Sequence, residues 1–143
     1  MTGEQGPPVK NILVAEDDDR LREVLEEWLS ATGYRPITAQ DGIEALDWLG
    51  RLPIDLMIVD ILMPHLDGSE LIKRVRKEKQ WGSIPIILLS GYGNLDPYRN
   101  LAVNVILPKP FDIHVLLREV QALIGPPGAA SPGGDRAGRG PEI

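Results

Sequence analysis

Cysteine is absent from the 143 residues. That excludes disulfides and thiolate metal sites, and makes a reducing compartment, the cytoplasm, the expected setting. No apolar run approaches the roughly 18 residues needed to cross a bilayer. The first eight residues, Met1 to Pro8, lack the basic and apolar regions of a signal peptide. Basic residues are in deficit, with 15 Lys and Arg against 21 Asp and Glu and a formal net charge of −6. This balance argues against a direct nucleic-acid surface and suits a protein that binds a cation or meets a basic partner. Trp28, Trp48 and Trp81 have no basic stripe around them, so they read as packing or surface residues rather than stacking platforms.

What remains fits one domain with one core. Residues 1–8 read as a flexible lead-in, 9–124 as the folded domain and 125–143 as a disordered tail rich in Gly and Pro. Five short apolar runs alternate with helical patterns. Asn11 to Ala15 reads as a buried strand, followed by a helix carrying Leu21, Val24, Leu25, Trp28 and Leu29. Asp18 or Asp19 caps that helix and Gly33 stops it. Arg35 to Ala39 reads as an edge strand because Pro36 lacks a donor. Asp41 caps a second helix, which Pro53 terminates. Leu56 to Asp60 is the third strand, and Asp67 opens a capping box that runs to Glu70. The helix it starts buries Leu71, Ile72 and Val75 and turns Lys73, Arg74, Arg76, Lys77 and Lys79 to solvent. Pro85 to Leu89 predicts a fourth strand ending at Ser90, and the breaker-rich run after it leaves room for a short helix to about Ala102. Val103 to Leu107 predicts the fifth strand, and Asp112 caps a last helix. Strand and helix repeated five times, with short connections, demand a parallel sheet covered by helices on both faces.

Ligands of such sheets bind outside the carboxyl ends of the strands. There the first strand delivers Glu16 and Asp17, the third Asp60, the fourth Ser90 and the fifth Lys109. Like charges about 4 Å apart cost roughly 4 kcal/mol per pair at an effective dielectric near 20. The three acids therefore need a cation or must hold protons. Oxygen-only ligands with open positions suit Mg²⁺. Lys109 offers a positive charge to an anion and Ser90 a hydroxyl. A carboxylate beside a hard cation, a lysine and a hydroxyl is equipped to accept a phosphoryl group.

With these residues in place, the chain resembles the receiver domain of the two-component response regulators. The matching motifs are Glu16-Asp17-Asp18 after the first strand, Asp60 to Gly68 with Met63-Pro64 inside it, Ser90-Gly91, and Lys109-Pro110-Phe111. The resemblance implies a flavodoxin-like α/β fold with strand order 2-1-3-4-5. It implies that Asp60 is phosphorylated by a histidine kinase or phosphotransfer protein and that a downstream protein reads the result. Asp17, Asp60 and the Leu62 carbonyl would hold Mg²⁺, with Glu16 acting through water. Ser90, Gly91 and Lys109 would surround the phosphoryl group, and the Lys109–Pro110 bond would be cis. Ile106 departs from the family, which places Tyr or Phe three residues before the lysine, so the usual ring switch cannot operate. Leu62 and Tyr92 stand where the family controls hydrolytic water, and their apolar bulk implies a long phosphoryl lifetime.

Other readings compete. A Mg²⁺-dependent aspartyl phosphatase would carry a second acid two residues after its nucleophile, where this chain has Leu62, so a turnover enzyme is not expected. A degenerate receiver that binds partners without phosphorylation is the alternative that Ile106 keeps open. The tail is too short and too rich in Gly and Pro for a core, so output is expected through protein contacts or phosphoryl relay unless a further domain follows. Asp67 reads as a cap, Asp18 and Asp19 as helix-start acids, and His65 and His114 as lone histidines without a partner.

Overall fold

The computed structural model describes residues 8–91 and 100–128. The lead-in up to residue 7, most of the short helix expected after Ser90, Tyr92, and the tail from residue 129 lie outside the described residues. Five parallel strands form one sheet in the order β2-β1-β3-β4-β5, the flavodoxin-like arrangement. They are β1 (Asn11–Ala15), β2 (Arg35–Ala39), β3 (Leu56–Asp60), β4 (Ile86–Ser90) and β5 (Val105–Pro108). Among the described residues four helices connect or follow them: α1 (Asp19–Thr32), α2 (Gly42–Leu49), α3 (Gly68–Lys77) and α4 (Ile113–Ile124).

The inner strands are buried along their whole length, as the continuous apolar runs of β1, β3 and β4 require. Alternate residues face opposite layers. Leu13, Ala15, Met57, Val59, Ile86 and Leu88 pack under α2 and α3. Ile12, Val14, Leu56, Ile58, Ile87 and Leu89 pack under α1 and α4. Each helix starts on an aspartate whose carboxylate accepts main-chain N–H groups: Asp18 for α1, Asp41 for α2, Asp67 for α3 and Asp112 for α4. Asp18 is thus the cap and Asp19 the first-turn acid. These caps fix where each helix begins, and so how far each strand-end loop can stray.

Three boundaries differ from the sequence reading. β5 begins at Val105 instead of Val103, because the Asn104 side chain accepts the Ile86 N–H at 2.8 Å and takes a place in the ladder. β4 spans Ile86–Ser90, starting one residue later than predicted and ending at Ser90 as expected. α2 ends at Leu49 well before Pro53, as the amides of Arg51 and Leu52 both turn back to the Trp48 carbonyl. Arg76 does not project freely into solvent. Its guanidinium donates to the carbonyls of Gly82 at 3.0 Å, Ile84 at 2.7 Å and Ala102 at 2.8 Å. At the far end of the sheet, Lys10 donates to the carbonyls of Ile124 and Pro126, and the Tyr34 hydroxyl to that of Gly125. The first residues after α4 are thereby held against the start of β1.

Candidate functional site

The parallel sheet sends every strand's carboxyl end to one edge, and there β1, β3 and β5 bring their polar groups together. Glu16 follows β1 directly. Its N–H donates to the Ala39 carbonyl at 3.0 Å, which fixes it beside β2. Its carboxylate accepts the Asp18 N–H at 3.1 Å on one oxygen and the Lys109 ammonium at 3.1 Å on the other. Lys109 also stands 3.2 Å from an Asp60 oxygen. Glu16 is fully buried, Asp60 nearly so, and Asp17 exposed. Glu16, Asp17, Asp18, Asp60, Leu62, Gly91 and Lys109 line an open cleft of about 490 Å³.

The electrostatics follow from this crowding. Burial, and then the neighbouring Asp60, push the Glu16 carboxyl up to about 7. Burial also raises Asp60, against the opposing pull of Lys109. For Lys109 burial works against the charge, but Glu16 and Asp60 outweigh it and leave the ammonium harder to deprotonate than usual. Two buried acids thus share one ammonium, and the exposed Asp17 stands beside them. Glu16, Asp17 and Asp60 can each turn a carboxylate oxygen to within 4.8 Å of the others. That spacing and the all-oxygen donor set fit a hard divalent cation such as Mg²⁺.

The remaining sequence-predicted residues have distinct placements. Ser90 ends β4 fully buried, and its carbonyl accepts the Lys109 N–H at 2.7 Å. Gly91 after it reaches the cleft. The Lys109–Pro110 bond is cis. The Leu62 side chain is half exposed at the cleft mouth. Ile106 is part-buried against the core layer of α2 and α3.

Sequence reasoning missed one polar support and one close backbone approach, and misread two histidines. Arg22, one turn into α1, donates to the Glu16 carbonyl at 2.8 Å and pairs with Asp19, tying down the acidic loop. An Arg three residues after an acid on a helix is the signal that could have found it. Gly68 touches the backbone that carries Asp60: a Cβ there would lie 2.3 Å from the Asp60 carbonyl oxygen. His65 is not alone, for its Nδ1 meets Asp41 Oδ2 at 2.8 Å. His114 stands edge-on to Trp28 with ring centroids 5.6 Å apart. Neither partnership is visible without the tertiary fold.

A doubly wound sheet with an acidic, lysine-bridged cleft at its carboxyl edge defines a class, the flavodoxin-like signalling domains. The Response regulator receiver domain model matches residues 12–121, and the chain belongs to that family. Response regulator RR06 of Streptococcus pneumoniae serotype 2 (strain D39 / NCTC 7466) is 36% identical over 117 residues, covering 80% of this chain and 52% of that protein. Response regulator MprA of Mycobacterium sp. (strain KMS) is 36% identical over 120 residues, covering 82% and 51%. The chain therefore spans about half the length of these curated relatives. Among solved structures, Vibrio cholerae chemotaxis protein CheY4 superposes with a TM-score of 0.76 at 28% identity, covering 81% of this chain and 99% of that one. The receiver domain of sensor histidine kinase PA1611 from Pseudomonas aeruginosa PAO1, solved with a magnesium ion in its active site cleft, gives 0.76 at 30% identity, covering 82% and 99%. Phosphorylation-dependent signalling is the general role of such domains. No helix among the described residues is long and apolar enough to cross a membrane.

Proposed function

We propose that Asp60 accepts a phosphoryl group from a phosphohistidine of a histidine kinase or phosphotransfer protein, with Mg²⁺ assistance, and that a partner protein reads the change. The observation that carries this reading is Lys109 spanning Glu16 and Asp60 at the open edge of the sheet. An Asp60 oxygen attacks phosphorus in line. The new O–P bond forms as the donor's N–P bond breaks, and the electron pair stays on the imidazole nitrogen. Mg²⁺ bound by Asp17, Asp60 and the Leu62 carbonyl, with Glu16 acting through water, would neutralise phosphoryl oxygens. Lys109 offers its ammonium to the same oxygens, which have to compete with Glu16 for it. Gly91 leaves that side of the cleft without a side chain, and Ser90 offers a hydroxyl from β4's end. Arg22 and the Asp18 cap hold the acidic loop while charge moves.

We read the domain as a signalling receiver rather than a turnover enzyme. Leu62 can neither protonate a leaving group nor orient water by charge, so the aspartyl phosphate is long-lived. Incubation with Mg²⁺ and a small acyl phosphate should give a one-to-one adduct, stable in acid and labile in base, that Asp60→Asn abolishes. Leu62→Asn should shorten its lifetime several-fold. Repeated turnover by the wild type would favour an aspartyl phosphatase, and no adduct would favour a phosphorylation-independent binding module.

A further inference from the structure

The loop from Ile61 to Asp67 carries Leu62 and leads from Asp60 to α3. Its ends are fixed: the Ile61 N–H donates to the Leu89 carbonyl and the Gly68 N–H to the Ile61 carbonyl, each at 3.0 Å. Its middle is held differently. His65 has φ 67°, a left-handed conformation that a side chain with a Cβ rarely takes. The Leu66 N–H closes onto the Pro64 carbonyl at 2.7 Å, so His65 is the centre of a three-residue turn. Packing does not explain the strain, since the imidazole is 69% exposed. The ring instead donates from Nδ1 to Asp41 Oδ2 at 2.8 Å, while the other Asp41 oxygen accepts the Glu44 N–H at 2.8 Å as the cap of α2. Beside this pair the Gly42 N–H donates to the Leu66 carbonyl at 3.2 Å. The backbones approach so closely that a Cβ on residue 42 would fall 2.5 Å from that oxygen. The turn is latched to the start of α2 from both sides.

We infer that His65 is a positioning residue: its bond to Asp41 holds the loop after the phosphoacceptor in the conformation that binds the divalent cation. A strained backbone kept at a site edge by a contact outside the site is what pre-organisation requires. The inference rests on the phosphoacceptor reading, because it assumes that the Leu62 region contributes to cation binding.

Two substitutions separate positioning from mere stability. His65→Gly accepts the left-handed φ without strain but removes the ring. His65→Asn tolerates the same φ, and its side-chain amide nitrogen, attached to Cγ as Nδ1 is, can reach Asp41. The measurements are Mg²⁺ titration by calorimetry, thermal unfolding, and amide exchange at Leu66 and Gly42. His65→Gly should melt within about 2 °C of wild type, since relief of strain offsets the lost bond and the added chain freedom. It should bind Mg²⁺ about tenfold more weakly, the scale of lost outer-shell support, and exchange the Leu66 and Gly42 amides faster. His65→Asn should stay within about twofold of the wild-type Kd, as a kept bond implies. Wild-type affinity in His65→Gly, or equal losses in both variants, would overturn the inference alone. Failure of the wild type to bind Mg²⁺ would overturn the phosphoacceptor reading and the inference with it.

Discussion

Lys109 and Glu16 meet at 3.1 Å across the sheet edge, one from the end of β5 and the other from the end of β1, and the acid in the pair is fully buried. Among the described residues Lys109 is the ammonium that answers both Glu16 and Asp60. Removing it leaves two buried acids facing each other. Lys109→Met should cost about 2 kcal/mol, below the usual value for a broken buried pair because the lysine is partly exposed. Added Mg²⁺ should raise the melting temperature of the variant more than that of wild type, as the more negative cluster gains more from a cation. Thermal unfolding with and without Mg²⁺ checks both, and equal shifts would argue against cation binding in this cluster.

Gly68 gives a second expectation, and here space decides. A methyl group at this position would sit 2.9 Å from the Ile61 Cα as well as against the Asp60 carbonyl oxygen. These neighbours are main chain and cannot swing away. Gly68→Ala should destabilise the fold by about 1–3 kcal/mol and lower the yield of Asp60 adduct. Gly50→Ala is the control, because its Cβ would have no neighbour closer than 3.6 Å. Urea denaturation and adduct yield should separate the two variants.

Arg76 makes its three bonds to carbonyls in a fork that an ammonium cannot copy. Arg76→Met should lose about 2 kcal/mol, and Arg76→Lys should recover less than half of that loss. Near-complete rescue by lysine in urea denaturation would show that charge, and not the fork, is what matters.

Asp41 supplies a pH dependence. The Glu44 N–H, and then the His65 side chain, hold its carboxyl below the ordinary 3.8. The ionised form is favoured in the folded state, so its stabilisation is present above 3.8 and fades as pH falls through the lowered value. Wild type should exceed Asp41→Ala by about 1 kcal/mol at neutral pH, the usual worth of such a cap. The gap should narrow below pH 3.8. A gap that stays constant down to the acid transition would remove the carboxylate's charge from the account.

Much of this architecture is legible in the sequence alone. β1, β3 and β4 are continuous apolar runs because both their faces are covered, and a parallel sheet then has to gather Glu16, Asp17, Asp60, Ser90 and Lys109 at one edge. The aspartate caps were equally plain, since a carboxylate just ahead of an amphipathic pattern has few other uses. What escaped was polar and tertiary. Periodicity assigns Arg76 to a wet face and cannot show that three carbonyls wait there. His65 and Asp41 lie on loops 24 residues apart, and only the crossover between β2 and β3 makes them neighbours. Asn104 stands in for a strand residue through its side chain, which no apolar count registers.

The grip of Lys10 and Tyr34 on residues 124–126 has a practical consequence. It brings the chain's entry into β1 and its exit from α4 to the same side of the molecule, at the amino ends of the strands. The cleft that Asp60 lines opens on the opposite side. A fluorophore attached at Val9 or Pro126, both exposed, would sit at the floor of the domain. The cleft lined by Asp60 and Lys109 would be clear of such a label.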